Sequence, residues 1–374
     1  MSRLLRQSLS HESSPSTPST AGGRAFCSDQ DTSSLNKRSG ATASTVNGAF
    51  DEFLRNEVNL SPPDSDGART SRDWLSKQIQ KFPENFDDFP LLYPEQDIAF
   101  GSFARKTKIR PLDDVDIISC LHATGGTYAD YGFGPIDVTV PGGSRLSGYC
   151  HNGSSTLNSI RIVNRYVKAL ATVSQYSSAE INRRSEAAVL RLTSYDWNFD
   201  IVPGFFTGPD AFGRTYYLIP DGNGHWKKTD PRKDRDHISK VNQEHDGHVL
   251  NVVRAAKHWQ RRRTMPTASS YLLETIVAGF YEGRVQKATK WVDMEMGPVL
   301  RHIANAILSD VQDPKEIQGN LNTLSWDEKL KIRERALLDA DRADEARTFE
   351  DSGEHEKAIS KWRDIFGSDF PRFG

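Results

Sequence analysis

Phe100-Gly101-Ser102, followed twelve residues on by Asp114-Val115-Asp116-Ile117, is the stretch on which the fold of this 374-residue chain turns. Alternate side chains of a strand share a face, so Asp114 and Asp116 stand side by side while Val115 and Ile117 enter a core behind them. The same alternation turns Asp113 away and excludes it as a ligand. Two carboxylates this close repel one another in a poorly solvated cleft. A divalent cation, which takes hard oxygen ligands, relieves that repulsion. Alone, an Asp-x-Asp means little, because ordinary Asp usage yields about one by chance in a chain of this size. Three features raise it. The triplet lies in an apolar strand, where unpaired carboxylates are costly. A Gly-Ser turn precedes it at a distance suited to a strand–turn–short helix–strand unit. A third acid, Asp200, lies in a second apolar strand, Trp197-Asn198-Phe199-Asp200-Ile201-Val202-Pro203. As an antiparallel neighbour of the first strand, this one would bring Asp200 beside the pair. Three carboxylates can hold two Mg²⁺ ions about 3.5–4 Å apart, the arrangement that stabilises attacking and leaving oxygens in phosphoryl displacement. Gly101 would then let the backbone approach a triphosphate, with Ser102 donating hydrogen bonds to it. No GxxxxGK[ST] motif is present, so this is not a Walker A loop.

Around this centre the periodicity predicts a mixed unit and then a helical one. Phe50, Phe53 and Leu54 begin an apolar stripe, and helical spacing runs over 71–82. Strands are predicted at 97–100, 114–121, 187–192, 197–205 and 216–219, a helix at 157–173, and loops or hairpins across the Gly- and Pro-rich 125–148. After Pro231 the texture changes, with helices predicted at 245–262, 269–281, 291–308, 327–350 and 354–366. The expected fold class is α+β, with a mixed-sheet lobe over 47–231 and an all-helical lobe over 232–374. Residues 1–46 are more than one-third Ser or Thr with few apolar residues, which predicts a disordered tail.

Composition narrows the function. Lys and Arg number 48 against 50 Asp and Glu, a net charge of −2, which rules out a polybasic nucleic-acid coat. Three scattered cysteines suit a reducing compartment and make neither a disulfide framework nor a CxxC zinc module. No apolar run reaches membrane-span length, and the N-terminus lacks the apolar segment of a secretory signal, so a cytoplasmic protein without a membrane partner is expected.

The run Gly101-Ser102, then Thr107-Lys108-Ile109-Arg110-Pro111-Leu112-Asp113-Asp114-Val115-Asp116-Ile117, resembles the signature of polymerase β-type nucleotidyltransferases. More narrowly, the chain resembles the bacterial cGAS/DncV-like nucleotidyltransferases (CD-NTases) from about residue 50 to its end. The likeness extends to Tyr217-Leu218-Ile219-Pro220-Asp221, Lys257-His258-Trp259, Ser270-Tyr271-Leu272-Leu273-Glu274 and Trp362-Arg363-Asp364-Ile365-Phe366-Gly367. It implies two lobes around one cleft and Mg²⁺- or Mn²⁺-dependent condensation of NTPs (ATP, GTP or others) into a cyclic di- or oligonucleotide. It also implies that pyrophosphate is released and that the product acts through a downstream effector in antiphage defence. It further implies that Asp114, Asp116 and Asp200 are catalytic and bind metal, with Asp200 nearest the attacking hydroxyl. Gly101, Ser102, Lys257 and Ser270 would hold the donor triphosphate. Rival readings are nucleotidyl transfer to RNA, a protein or a small molecule, and a nucleic-acid-binding scaffold without activity.

Several residues carry a plainer reading. On spacing alone Lys257 is a snorkelling surface lysine, and Ser270 a helix cap. Arg261-Arg262-Arg263 reads as a solvated helix end, or else as a grip for an activating nucleic acid or for incoming phosphates. Tyr217 and Trp226 suit base stacking or core packing equally. Cys120 with His122, and Cys150 with His151, are weak zinc candidates.

Overall fold

Among the described residues the hydrophobic core divides into a cluster among the helices and one on each face of a sheet, and the first apolar stripe joins the helical cluster. The computed structural model describes residues 2–3, 41–130, 132 and 134–374. Most of the tail predicted over 1–46 lies outside the described residues; 41–46 are ordered. Strands β1 (Ser2–Arg3) and β2 (Thr42–Ala43) precede helix α1 (Val46–Phe53), which Thr45 caps by accepting the Gly48 N–H at 3.1 Å. The helix runs on into a π-helical turn, Leu54–Val58. Its buried Phe50 meets Trp362 edge-on at 4.8 Å and Phe370 at 5.0 Å, at the far end of the chain. Residues 47–58, expected with the sheet, therefore pack with the helices, because their apolar stripe finds its partners there.

Helix α2 (Pro62–Ile79) starts before the predicted 71: Ser61 caps it and Pro62 fills a first-turn position that needs no N–H. Then come α3 (Phe82–Asn85), β3 (Ile98–Phe100), the one-turn α4 (Gly101–Ala104) and β4 (Asp114–Cys120). Short strands β5 (Thr127–Ala129) and β6 (Asp137–Thr139) lead to α5 (Ser159–Leu170). A hairpin of β7 (Glu180–Arg184) and β8 (Ala187–Arg191) precedes β9 (Asn198–Phe206), β10 (Tyr217–Pro220) and β11 (Trp226–Thr229). The main sheet runs β11-β10-β9-β4-β3, with β8 also on β9 and β7 on β8.

β4 and β9 are parallel, not antiparallel as expected. Parallel neighbours require a crossover, and α5 supplies it. Ile162, Val163 and Tyr166 of α5 share one core with Val115, Ile117, Phe199 and Ile201. On the opposite face Ile118, Cys120 and Val202 cluster with Tyr217 and Ile219. That face carries the acids at its other end.

The second half is helical: α6 (Pro231–Glu244), α7 (Val249–Gln260), α8 (Ser270–Tyr281), α9 (Val292–Ala306), α10 (Trp326–Asp351) and α11 (His355–Phe366). A last strand, β12 (Arg372–Phe373), pairs with β2. α6 escapes sequence reading because its first turns are charged and only Pro231, Ile238 and Val241 are buried. Among the described residues no helix is long and apolar enough to cross a membrane.

Trp362 is fully buried where α1, α11 and Phe370 meet. Truncating Trp362 to Ala leaves a cavity that helices from both ends of the chain cannot close. We expect a loss of about 3–5 kcal/mol in urea unfolding of the full chain.

Candidate active site

The register of β4 on β9 sets Asp116 opposite Asp200 and Asp114 opposite Asn198. All three acids thus occupy one face of neighbouring strands, which lie about 4.8 Å apart. Asp116 is pushed up to about 8, by burial first and then by the charges of Asp114 and Asp200. Burial raises the Asp114 and Asp200 carboxyls as well. A set of acids that resist ionisation for these reasons is short of positive charge, and its hard oxygen donors fit a divalent cation.

Lys108 supplies part of that charge. Its buried ammonium pairs with both Asp113 and Asp114. Asp113 precedes the strand, so strand alternation does not separate it from Asp114, and the two carboxylates share the Lys108 ammonium. Asp114 is thus engaged by Lys108, while Asp116 and Asp200 stand opposite each other in the register of the two strands. Among the described residues no group of three or more His, Cys, Asp or Glu side chains forms a cluster able to hold a metal ion.

Gly101 sits against this centre. Phe100 pairs with Asp116 across β3 and β4. The next residue, Gly101, has a φ of +71°, and a Cβ there would lie 1.8 Å from Asp116 Oδ2. Both the backbone and the space demand glycine. The Ser102 carbonyl accepts the N–H groups of Thr107 at 2.9 Å and Lys108 at 3.0 Å, folding the chain back toward β4. The Ser102 hydroxyl has no partner among the described residues, so it is free to donate.

From the helical side, Ser270 is the exposed first residue of α8. The cap is its neighbour Ser269, which accepts the Leu272 N–H at 3.1 Å. Lys257 is not a surface lysine. It is 4% exposed and donates to Glu274 at 2.6 Å and to the Thr107 carbonyl at 2.9 Å. Arg105 donates to the other Glu274 oxygen at 3.0 Å, and its guanidinium lies 5.2 Å from the centre of the Tyr271 ring. Burial alone would push the Glu274 carboxyl up, but the charges of Arg105 and Lys257 outweigh it and hold the group below its ordinary value.

The plainer readings settle one by one. Trp226 is fully buried and donates its indole N–H to the Leu157 carbonyl at 3.2 Å, and Tyr217 is buried too; both are core residues and stack no base. Arg261 donates to the Arg110 carbonyl at 2.6 Å and Arg262 to that of Asp364 at 2.8 Å. Cys120 and Cys150 are buried free thiols. Lys108, Arg105 and Glu274 were missed by sequence reasoning. Each is one charged residue with no periodic signature; Lys108 and Glu274 lay within stretches already singled out, in Thr107-Lys108-Ile109 and Ser270-Tyr271-Leu272-Leu273-Glu274, but with no role given to either.

No family model matches the chain. It is 42% identical over 330 residues to a probable cyclic nucleotide synthase of Bacillus cereus (strain VD146), covering 87% of this chain and 98% of the relative. Among solved structures it resembles E. coli MS115-1 CdnC with ATP, at a TM-score of 0.63 and 17% identity, over 87% of this chain and 98% of that one. It also resembles the GTP-bound form of Vibrio cholerae DncV, at a TM-score of 0.62 and 11% identity, over 88% and 96%.

Proposed function

Because this chain belongs to the cGAS/DncV-like nucleotidyltransferases, we propose that it condenses NTPs into a cyclic di- or oligonucleotide with release of pyrophosphate. The observation that carries this reading is the pairing of Asp116 with Asp200, with the Gly101 turn seated on Asp116. Gly101 leaves room for the donor triphosphate, Ser102 donates to its oxygens, and Ser270 meets it from the opposite lobe. Asp200, nearest the acceptor, takes the proton from a ribose hydroxyl. The hydroxyl oxygen bonds to the donor α-phosphorus as the bond to the β-phosphate oxygen breaks, and pyrophosphate leaves. Asp114, Asp116 and Asp200 would hold two Mg²⁺ ions (Mn²⁺ in their place), which supply charge stabilisation to the transferring phosphoryl group. Closing the ring requires the linear intermediate to return with its own hydroxyl at Asp200. The family likeness supports a cytoplasmic signalling role, in which the product activates an effector in antiphage defence.

The test is to incubate the full chain with ATP, GTP, CTP, UTP and Mg²⁺ and to analyse the products by mass spectrometry after phosphatase treatment. A phosphatase-resistant ring lacking terminal phosphates is expected. A product in which nucleotide is attached to added RNA or to protein would replace this reading with simple nucleotidyl transfer. No product under any condition would favour a scaffold.

A further inference from the structure

The segment that joins the phosphate turn to the catalytic strand is held from the other lobe. Arg105, Lys106 and Thr107 follow α4 directly, and each is met from the helical side. Arg105 Nε donates to Glu274 at 3.0 Å, the Lys106 carbonyl accepts Arg254 Nη1 at 3.2 Å, and the Thr107 carbonyl accepts Lys257 Nζ at 2.9 Å. Two residues on, Ile109 is fully buried in the helical core. Glu274 joins two of these contacts, since its other oxygen receives Lys257 at 2.6 Å.

Burying three charges is a poor route to stability, because the desolvation cost commonly matches or exceeds the attraction regained. Apolar side chains of similar volume would fill the space as well. What the ionic cluster provides is direction: a carboxylate with two fixed cations holds each in one geometry. An ammonium has three donors. Glu274 and Thr107 occupy two on Lys257, leaving a third for a phosphate oxygen.

We propose that Glu274 is a positioning residue of the donor site. It fixes the Lys257 ammonium and Arg105, and through Arg105 it sets the Gly101–Ser102 turn against the Tyr271 and Ser270 end of α8. The proposal rests on the reading of the cleft as an NTP site.

Glu274→Gln keeps the side chain's size and removes its charge. In the full chain, the KM for NTP and the Kd for a non-hydrolysable NTP analogue with Mg²⁺ should each rise about tenfold, with kcat changed by less than about threefold. A purely structural role would lower the folded fraction and leave KM and Kd alone, and that result overturns the proposal. If Glu274→Gln does not fold, the double variant Glu274→Gln/Lys257→Gln, which removes one charge of each sign, takes its place. Its Kd should show the same loss, and wild-type affinity in it overturns the proposal. Wild-type chain that binds no analogue defeats the NTP reading itself. Wild-type binding matched by the variant defeats only the role of Glu274.

Discussion

Replacing Asp116 by Asn, or Asp114 or Asp200 in turn, should lower kcat for product formation by at least about 10³-fold without unfolding the protein. The rate follows from the charge that a phosphoryl-transfer site must hold. Under the proposed function, two carboxylates and an amide would no longer balance the cations and phosphates brought there, and electrostatic stabilisation would be the larger part of such catalysis. The stability follows from the surroundings. Asp116 is pushed up to about 8 by burial and by its two acidic neighbours, so its ionised form is disfavoured where it stands. An amide of the same shape removes that cost. Without divalent cation the Asp116→Asn variant should therefore melt no lower than wild type, and initial rates with NTPs measured beside thermal unfolding decide the matter. Equal losses of activity and of melting temperature would mark Asp116 as an ordinary structural acid.

Gly101→Ala should be nearly as damaging to catalysis, by a different route. The new Cβ would lie 1.8 Å from Oδ2, 2.7 Å from Cγ and 3.3 Å from Cβ of Asp116, at a φ of +71°. A left-handed backbone costs a non-glycine residue roughly 1–2 kcal/mol. The clash is relieved only by swinging the Asp116 carboxylate away, which a flexible side chain can do. The protein should fold with a loss of about 1–3 kcal/mol, yet kcat should fall by about 10²-fold or more, since displacing a reacting group by about 1 Å costs that much. Gly101→Val should be worse on both counts. Denaturant unfolding and kcat measured on the same preparations check the separation.

The acids and the glycine turn were legible because their signal is local: alternation within one strand and a turn at fixed spacing. Strand direction was not, since period-two alternation is the same in parallel and antiparallel neighbours, and the crossover through α5 decides it. α6, β7 and β11 were missed because their sequences are polar and show little apolar periodicity. α1 was given to the sheet lobe because Trp362 and Phe370, which bury Phe50, lie some three hundred residues later. The amphipathic pattern of α7 placed Lys257 on a helix correctly. Its partner Glu274, and the Arg105 that shares that carboxylate from 169 residues upstream, belong to tertiary pairings that no window of sequence contains.

The polypeptide threads between the two halves more than once: after Val58, out and back at Ile109, and again at Pro231. A body slung on several separate cords does not swivel freely; it rocks about the line through its attachment points. Gly101 and Asp114 flank the middle cord. The turn at Gly101 and the acidic strand therefore hang on one cord, and a displacement of that cord moves both together.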